Sequence, residues 1–167
     1  KNYDGFLISA AIDKYVFVSI NNPFKDGYFL KYSKIEECYS LNNIQHPIIR
    51  EAFRLLDINN KIELTTLADI PSGTGLGSSG SFTVALLKCL FTFLGKPHDR
   101  KEIADLACHI EIDILKEPIG KQDQYIASYG GINCFHFKKN NEVVVEALNV
   151  SQDTIYQLED NLLLFFT

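Results

Sequence analysis

Pro71-Ser72-Gly73-Thr74-Gly75-Leu76-Gly77-Ser78-Ser79-Gly80 is the segment on which the reading of this chain turns. It follows an alternating stretch, Ile62 to Leu67, that reads as a strand. It opens an apolar stretch, Phe82 to Leu94, that reads as a helix closed by Gly95-Lys96-Pro97. Glycines at alternate positions remove the side chains that would hold a ligand away from the backbone. The amides of such a loop can converge on an anion, and the helix that follows adds partial positive charge. Ser78 and Ser79 place hydroxyls at the mouth. A flexible loop with Ser78 or Ser79 as helix N-cap is the structural alternative. The segment is not a Walker A loop, which needs a lysine before its final Ser/Thr. Its Gly-x-Gly-x-Gly spacing also departs from the dinucleotide fingerprint.

The surrounding chain reads as α+β. Phe6 to Ala11, Tyr15 to Ile20 and Tyr28 to Tyr32 have strand composition, with Tyr15 to Val18 apolar on both faces as in a strand inside a layer. His46 to Leu56 has helical period, gathering Ile48, Ile49, Ala52, Phe53, Leu55 and Leu56. Asp99 to Leu115 is the clearest helix. It has a capping-box-like Asp99-x-x-Glu102 and a stripe of Ile103, Leu106, Ala107, Ile110 and Ile114. Lys121 to Tyr129 reads as one or two helical turns. Ile132 to Phe137 and Val143 to Ala147 form a hairpin around Lys138 to Asn141, and Ser151 to Glu159 reads as a further helix. Leu162 to Phe166 reads as a last strand entering a core.

Two carboxylates stand out. Glu111 borders the apolar stripe, four residues beyond Ala107 and eight beyond Ile103. A carboxylate turned inward requires a cation or donors, so it is a candidate Mg²⁺ ligand; at the stripe's edge it could also reach solvent. Asp123, in Gly120-Lys121-Gln122-Asp123-Gln124-Tyr125, is a solvated loop residue, an N-cap or a functional carboxylate. Lys121 beside it is a weaker candidate, either for a substrate phosphate or for lowering the pKa of Asp123.

With 167 residues the chain suits one domain, and 16 Lys+Arg against 21 Asp+Glu give a net charge of -5. That balance excludes an electrostatic nucleic-acid binder. At 46% hydrophobic and 22% charged the composition is that of a globular protein, not a disordered one. The longest apolar run falls far short of the ~20 residues of a membrane helix. Cys38, Cys89, Cys108 and Cys134 make no CxxC, and those in helical patterns read as buried reduced thiols suited to the cytoplasm. His46, His98, His109 and His136 show no metal-ligand spacing and read as structural or exposed.

The motif Pro71-x-x-x-Gly75-Leu76-Gly77-Ser78-Ser79 resembles the phosphate-binding motif of the GHMP kinases. Gly80 departs from it only in standing where alanine or serine is commoner. The string Gly120-Lys121-Gln122-Asp123-Gln124-Tyr125-Ile126-Ala127-Ser128-Tyr129-Gly130-Gly131, with His46 to Ala52 upstream, resembles the sugar-kinase branch that includes heptose phosphate kinases and fucokinase-type enzymes. The resemblance implies the ribosomal protein S5 domain 2-like fold of a GHMP kinase N-terminal, ATP-binding domain over residues 1–167. It implies that Pro71, Gly73, Gly75, Leu76, Gly77, Ser78, Ser79 and Gly80 bind ATP. Ser79 and Glu111 are then the Mg²⁺ ligands, Asp123 the catalytic base and Lys121 a substrate contact. The implied reaction is Mg²⁺-assisted, ATP-dependent phosphorylation of the anomeric hydroxyl of a heptose phosphate in the cytoplasm. Fucose or galactose as acceptor, or a catalytically silent nucleotide- or sugar-binding module, are the alternatives. The expected partners are ATP and a sugar phosphate, with no nucleic acid and no membrane; a homodimer is left open. The opening at Lys1 and the closing apolar run read as a domain incomplete at both ends. The branch carries a Gly-Gly-Gly-Thr-Asp segment before it and a second α+β domain after it.

Overall fold

The computed structural model describes residues 4–59, 61–71 and 73–163. Two sheets are built from seven strands: β1 (Gly5–Ala10), β2 (Val16–Asn21), β3 (Tyr28–Lys31), β4 (Ile35–Cys38), β5 (Ile62–Ala68), β6 (Ile132–Phe137) and β7 (Val143–Ala147). Among the described residues five α-helices accompany them: α1 (Pro47–Leu55), α2 (Ser78–Phe93), α3 (Arg100–Cys108), α4 (Gln122–Tyr129) and α5 (Gln152–Asp160). One sheet has the order β1-β6-β7 and the other β2-β5-β3-β4. All pairings are antiparallel except β3 with β5. The α+β expectation holds.

Each sheet has its own core. Leu30 and Leu64, side by side in the parallel β3–β5 pair, are fully buried. They belong to a cluster with Ile49 and Phe53 of α1, Leu86, Leu87 and Leu90 of α2, and Ile103 of α3. Burying a side chain of this size stabilises the fold by about 1.5–3 kcal/mol. On the smaller sheet, Phe135 and Val143 bury against Ala104 and Cys108 of α3 and Tyr125 of α4. Tyr125 sets its ring edge-on to both Phe135 and Phe137. The α2, α3 and α4 helices contact one another, so the loop before α2 and the loop before α4 are held on one frame.

Several expectations change. β2 is an edge strand, not an inner one, and Phe17 is 53% exposed. Only Val18 and Ile20 pack on the core, because α2 covers one face of that strand. β4 was not legible: Ile35-Glu36-Glu37-Cys38 has too few apolar residues to signal a strand and is recruited by pairing with β3. Leu55 is exposed, because α1 ends there and its buried face stops at Phe53. Leu162 and Leu163 are exposed and belong to no strand, and residues 164–166 of the expected last strand lie outside the described residues. Among the described residues no helix is long and apolar enough to cross a membrane.

The long helix expected over Asp99 to Leu115 is two helices in series. Asp99 caps α3 by accepting the Glu102 N–H at 2.7 Å, as the capping signal predicts. Past Cys108 the chain widens into a π-helical segment, His109–Ile114. Its wider turn is visible in the Leu115 N–H, which donates to the Ile110 carbonyl five residues back at 2.9 Å. Past this widening Ile114 leaves the buried stripe, while Glu111, on the same side as Ala104 and Ala107, is fully buried.

Candidate active site

The glycine-rich segment runs from the end of β5 into α2. Gly77 is the N-cap residue of α2, at φ +70 in the left-handed region that favours glycine, and no side chain caps the helix. Ser78 and Ser79 are therefore helical residues and not caps. With the cap unoccupied by a side chain, the N–H groups of the first turn are left to an anion, and the helix dipole reinforces them. Thr74 braces the loop by donating its hydroxyl to the Pro71 carbonyl at 3.3 Å. Gly73 and Gly75 also have positive φ, and nothing lies within 4 Å of where their Cβ atoms would stand. Ser72 lies outside the described residues.

Ser79 Oγ donates to Glu111 Oε2 at 2.5 Å. The other carboxylate oxygen of Glu111 accepts from Gln124 Nε2 at 2.9 Å. Glu111 and Gln124 are both wholly buried, and Gln124 Oε1 has no hydrogen-bond partner among the described residues. A buried carboxylate held by two neutral donors, with an orphaned amide oxygen alongside, is an oxygen-rich set. Mg²⁺ takes oxygen ligands of this kind, so the set fits that ion. The reading of Glu111 as a solvent-reaching edge residue does not hold.

Asp123, in the first turn of α4, packs onto the glycine-rich loop. A Cβ built on Gly77 would stand 3.1 Å from Asp123 Cγ, and one on Gly80 would stand 3.0 Å from Asp123 Cβ. Burial pushes the Asp123 carboxyl above the ordinary aspartate range. The structure thus brings together Gly77, Ser79, Gly80, Glu111 and Asp123. Lys121 is left out: its ammonium donates to the Asn141 carbonyl at 3.2 Å, and no lowering of the Asp123 pKa results.

Two residues went unnoticed in the sequence. Gln124 looked like one more polar residue of a loop string. Lys88, the only charged residue in the apolar stretch of α2, was the available signal for the second. Its ammonium donates to the Ser128 carbonyl at 3.2 Å, and burial, followed by the charge of Arg100, lowers its pKa. Lys88 lines a cleft of about 370 Å³ with Leu76, Ser78, Ser81 and Ala127, and with Ile12 and Tyr15 from the β1–β2 connection. The volume is that of a small-ligand site.

His46 sits between the rings of Tyr32 and Phe82 in a structural role, as expected. The four cysteines are free. Burial pushes the Cys108 thiol up to about 12, which keeps it inert.

The helix-terminal amides of the loop, the buried Glu111 carboxylate and the Asp123 carboxylate packed on the loop thus lie together. Residues 43–131 match the GHMP kinases N terminal domain. The chain belongs to the GHMP kinase family. It is 31% identical, over 99% of its length, to the D-glycero-alpha-D-manno-heptose 7-phosphate kinase of Campylobacter jejuni, of which it covers 52%. It is 24% identical, over 98% of its length, to the galactokinase of Pyrococcus furiosus, of which it covers 47%. The fold superposes on a D-glycero-D-manno-heptose 1-phosphate kinase from Bacteroides thetaiotaomicron with a TM-score of 0.86 and 27% identity, over 95% of this chain and 56% of that one. The chain spans about half the length of these curated relatives.

Proposed function

We propose that this chain is the ATP-binding part of a sugar kinase that phosphorylates the anomeric hydroxyl of a heptose phosphate. The observation that carries the reading is the packing of Asp123 onto Gly77 and Gly80, beside the Ser79–Glu111 pair. A carboxylate then stands next to the uncapped, glycine-rich start of α2, where backbone amides can hold a phosphate. The similarity to a heptose 7-phosphate kinase favours the heptose among sugars.

In this reading the first-turn amides of α2 and the hydroxyl of Ser78 bind the triphosphate, and the cleft lined by Lys88 takes the nucleoside. Ser79 and Glu111 hold Mg²⁺, which neutralises phosphate charge when bound. Asp123 orients the sugar hydroxyl and takes its proton as the oxygen bonds to the γ-phosphorus and ADP departs. Its raised pKa suits this role, since a carboxyl less acidic than usual is a better base. A silent binding module would need neither Glu111 nor Asp123 at the loop.

The test is ATP turnover by the full-length protein over a panel of D-glycero-D-manno-heptose 7-phosphate, fucose and galactose. The product should be the heptose 1,7-bisphosphate. Turnover confined to fucose or galactose would move the assignment to another sugar. ATP binding without turnover on any sugar would replace it with the silent module.

A further inference from the structure

We propose that Cys134, His136 and Glu146 form a binding site for a borderline divalent cation of the Zn²⁺ type, on the face of the β1-β6-β7 sheet turned away from α3 and α4. The placement follows from the pleat. Side chains alternate across a strand, so Phe135 and Phe137, which face Tyr125, put Cys134 and His136 on the opposite face. The register then brings in the third residue, because Cys134 stands directly opposite Glu146 on β7. A Cys-x-His spacing carries no signal as a helix or loop motif. It becomes a pair only on a strand, and a triad only when the neighbouring strand supplies the carboxylate.

The distances fit one ion. Cys134 Sγ lies 3.4 Å from His136 Nε2. His136 Nε2 lies 3.8 Å from Glu146 Oε1. The sulfur, nitrogen and oxygen all fall within 4.8 Å of one another. Zinc bonds of about 2.3 Å to sulfur and 2.0–2.1 Å to nitrogen or oxygen place tetrahedral donors roughly 3.3–3.6 Å apart. The Cys–His separation already has that value, and the exposed Glu146 reaches it by a rotamer adjustment. Three protein donors leave the fourth position of a tetrahedron to water. The donor set is also selective. Thiolate and imidazole favour Zn²⁺-type ions, whereas Mg²⁺ takes oxygen, so this site and the Ser79–Glu111 pair select different metals. Cys134 itself is buried, flanked on β1 by Phe6 and Ile8, and an apolar rim of this kind strengthens the ion's hold on its ligands. On binding, the Cys134 thiol loses its proton to solvent and the sulfur lone pair goes to the metal, while His136 coordinates as the neutral ring.

The probe is Co²⁺, titrated into the full-length protein and followed by absorbance. One equivalent should produce the intense d–d bands of a tetrahedral site together with a thiolate-to-Co²⁺ charge-transfer band. Zn²⁺ should then erase both, and excess Mg²⁺ should not. Cys134→Ser should abolish the charge-transfer band, while Cys38→Ser and Cys89→Ser keep it. Glu146→Gln changes an exposed side chain and leaves the fold intact by circular dichroism. It should weaken Co²⁺ affinity by at least the roughly tenfold typical of perturbed metal sites. The proposal fails if no charge-transfer band develops with a Kd below ~100 μM. It fails equally if the band persists in Cys134→Ser, or if Glu146→Gln binds as tightly as the parent.

Discussion

Gly80 and Asp123 are packed so closely that a Cβ on Gly80 would stand 3.0 Å from the Asp123 Cβ and 3.1 Å from the Gln124 amide nitrogen. Small residues other than glycine do not fit there freely, although Gly80 is an ordinary helical residue. Two effects therefore oppose in Gly80→Ala. The helix gains about 1 kcal/mol of intrinsic propensity, while the start of α4 must retreat by a few tenths of an ångström. The expected outcome is a thermal midpoint close to the parent's, with kcat reduced on the order of tenfold by the displaced carboxylate. Parallel melting and steady-state assays check it; unchanged turnover would mean that this contact does not position Asp123.

Asp123→Asn should lower kcat by about 10²–10⁴-fold and leave nucleotide affinity nearly unchanged. Stability should move the other way. Burial raises the folded-state pKa of Asp123 above its unfolded value. Its contribution to stability is thus full below the unfolded pKa, near 4, and is lost as pH rises through the higher folded value. At neutral pH the ionised carboxylate is a cost that asparagine does not carry. Melts of both proteins across pH should show Asp123→Asn at least as stable at pH 7, with the gap closing toward pH 4. The acidic limb of the parent's kcat/KM profile should fall above the usual aspartate range.

Glu111→Gln should raise the Mg²⁺ concentration needed for half-maximal turnover by an order of magnitude or more. In metal-free buffer it should not destabilise the protein, because it removes a buried charge that has no cationic partner among the described residues. A Mg²⁺ titration and a melt in EDTA read the two effects separately. An unchanged titration would leave Glu111 with a structural role only.

Gly75→Ala and Gly77→Ala form a matched pair. Both positions have left-handed backbones, at φ +74 and +70, and each substitution should cost roughly 1–2 kcal/mol of stability. Only at Gly77 does the new methyl group meet Asp123, 3.1 Å from its Cγ. Denaturant melts should therefore show Gly77→Ala at least as destabilised as Gly75→Ala, and kcat should fall further in Gly77→Ala. Equal kcat in both would detach Asp123 from the loop.

The strand–loop–helix order around Pro71 to Gly80 was legible because it is local. Glycine spacing, helical period and the Asp99 cap act over a few residues, and no distant contact overrides them. The two carboxylates were legible as candidates through the motif resemblance, since the place of Glu111 beside the stripe also suited a solvent-reaching residue. What separates Glu111 from an exposed glutamate is the packing that sets Ser79 of α2 and Gln124 of α4 against it. The departure of Ile114 from the stripe goes with the π-helical turn at His109–Ile114, which a reading that assumes a regular helix cannot anticipate. Gln124 acquires its role only because α4 docks beside α3, and Lys88 only because its helix borders a cleft. β4 exists because β3 offers it an edge, and β2 is one-sided because α2 covers a single face. The Cys134–His136–Glu146 cluster depends on the β6–β7 register. These are contacts between residues far apart in the chain, and their free energies enter only when the elements pack.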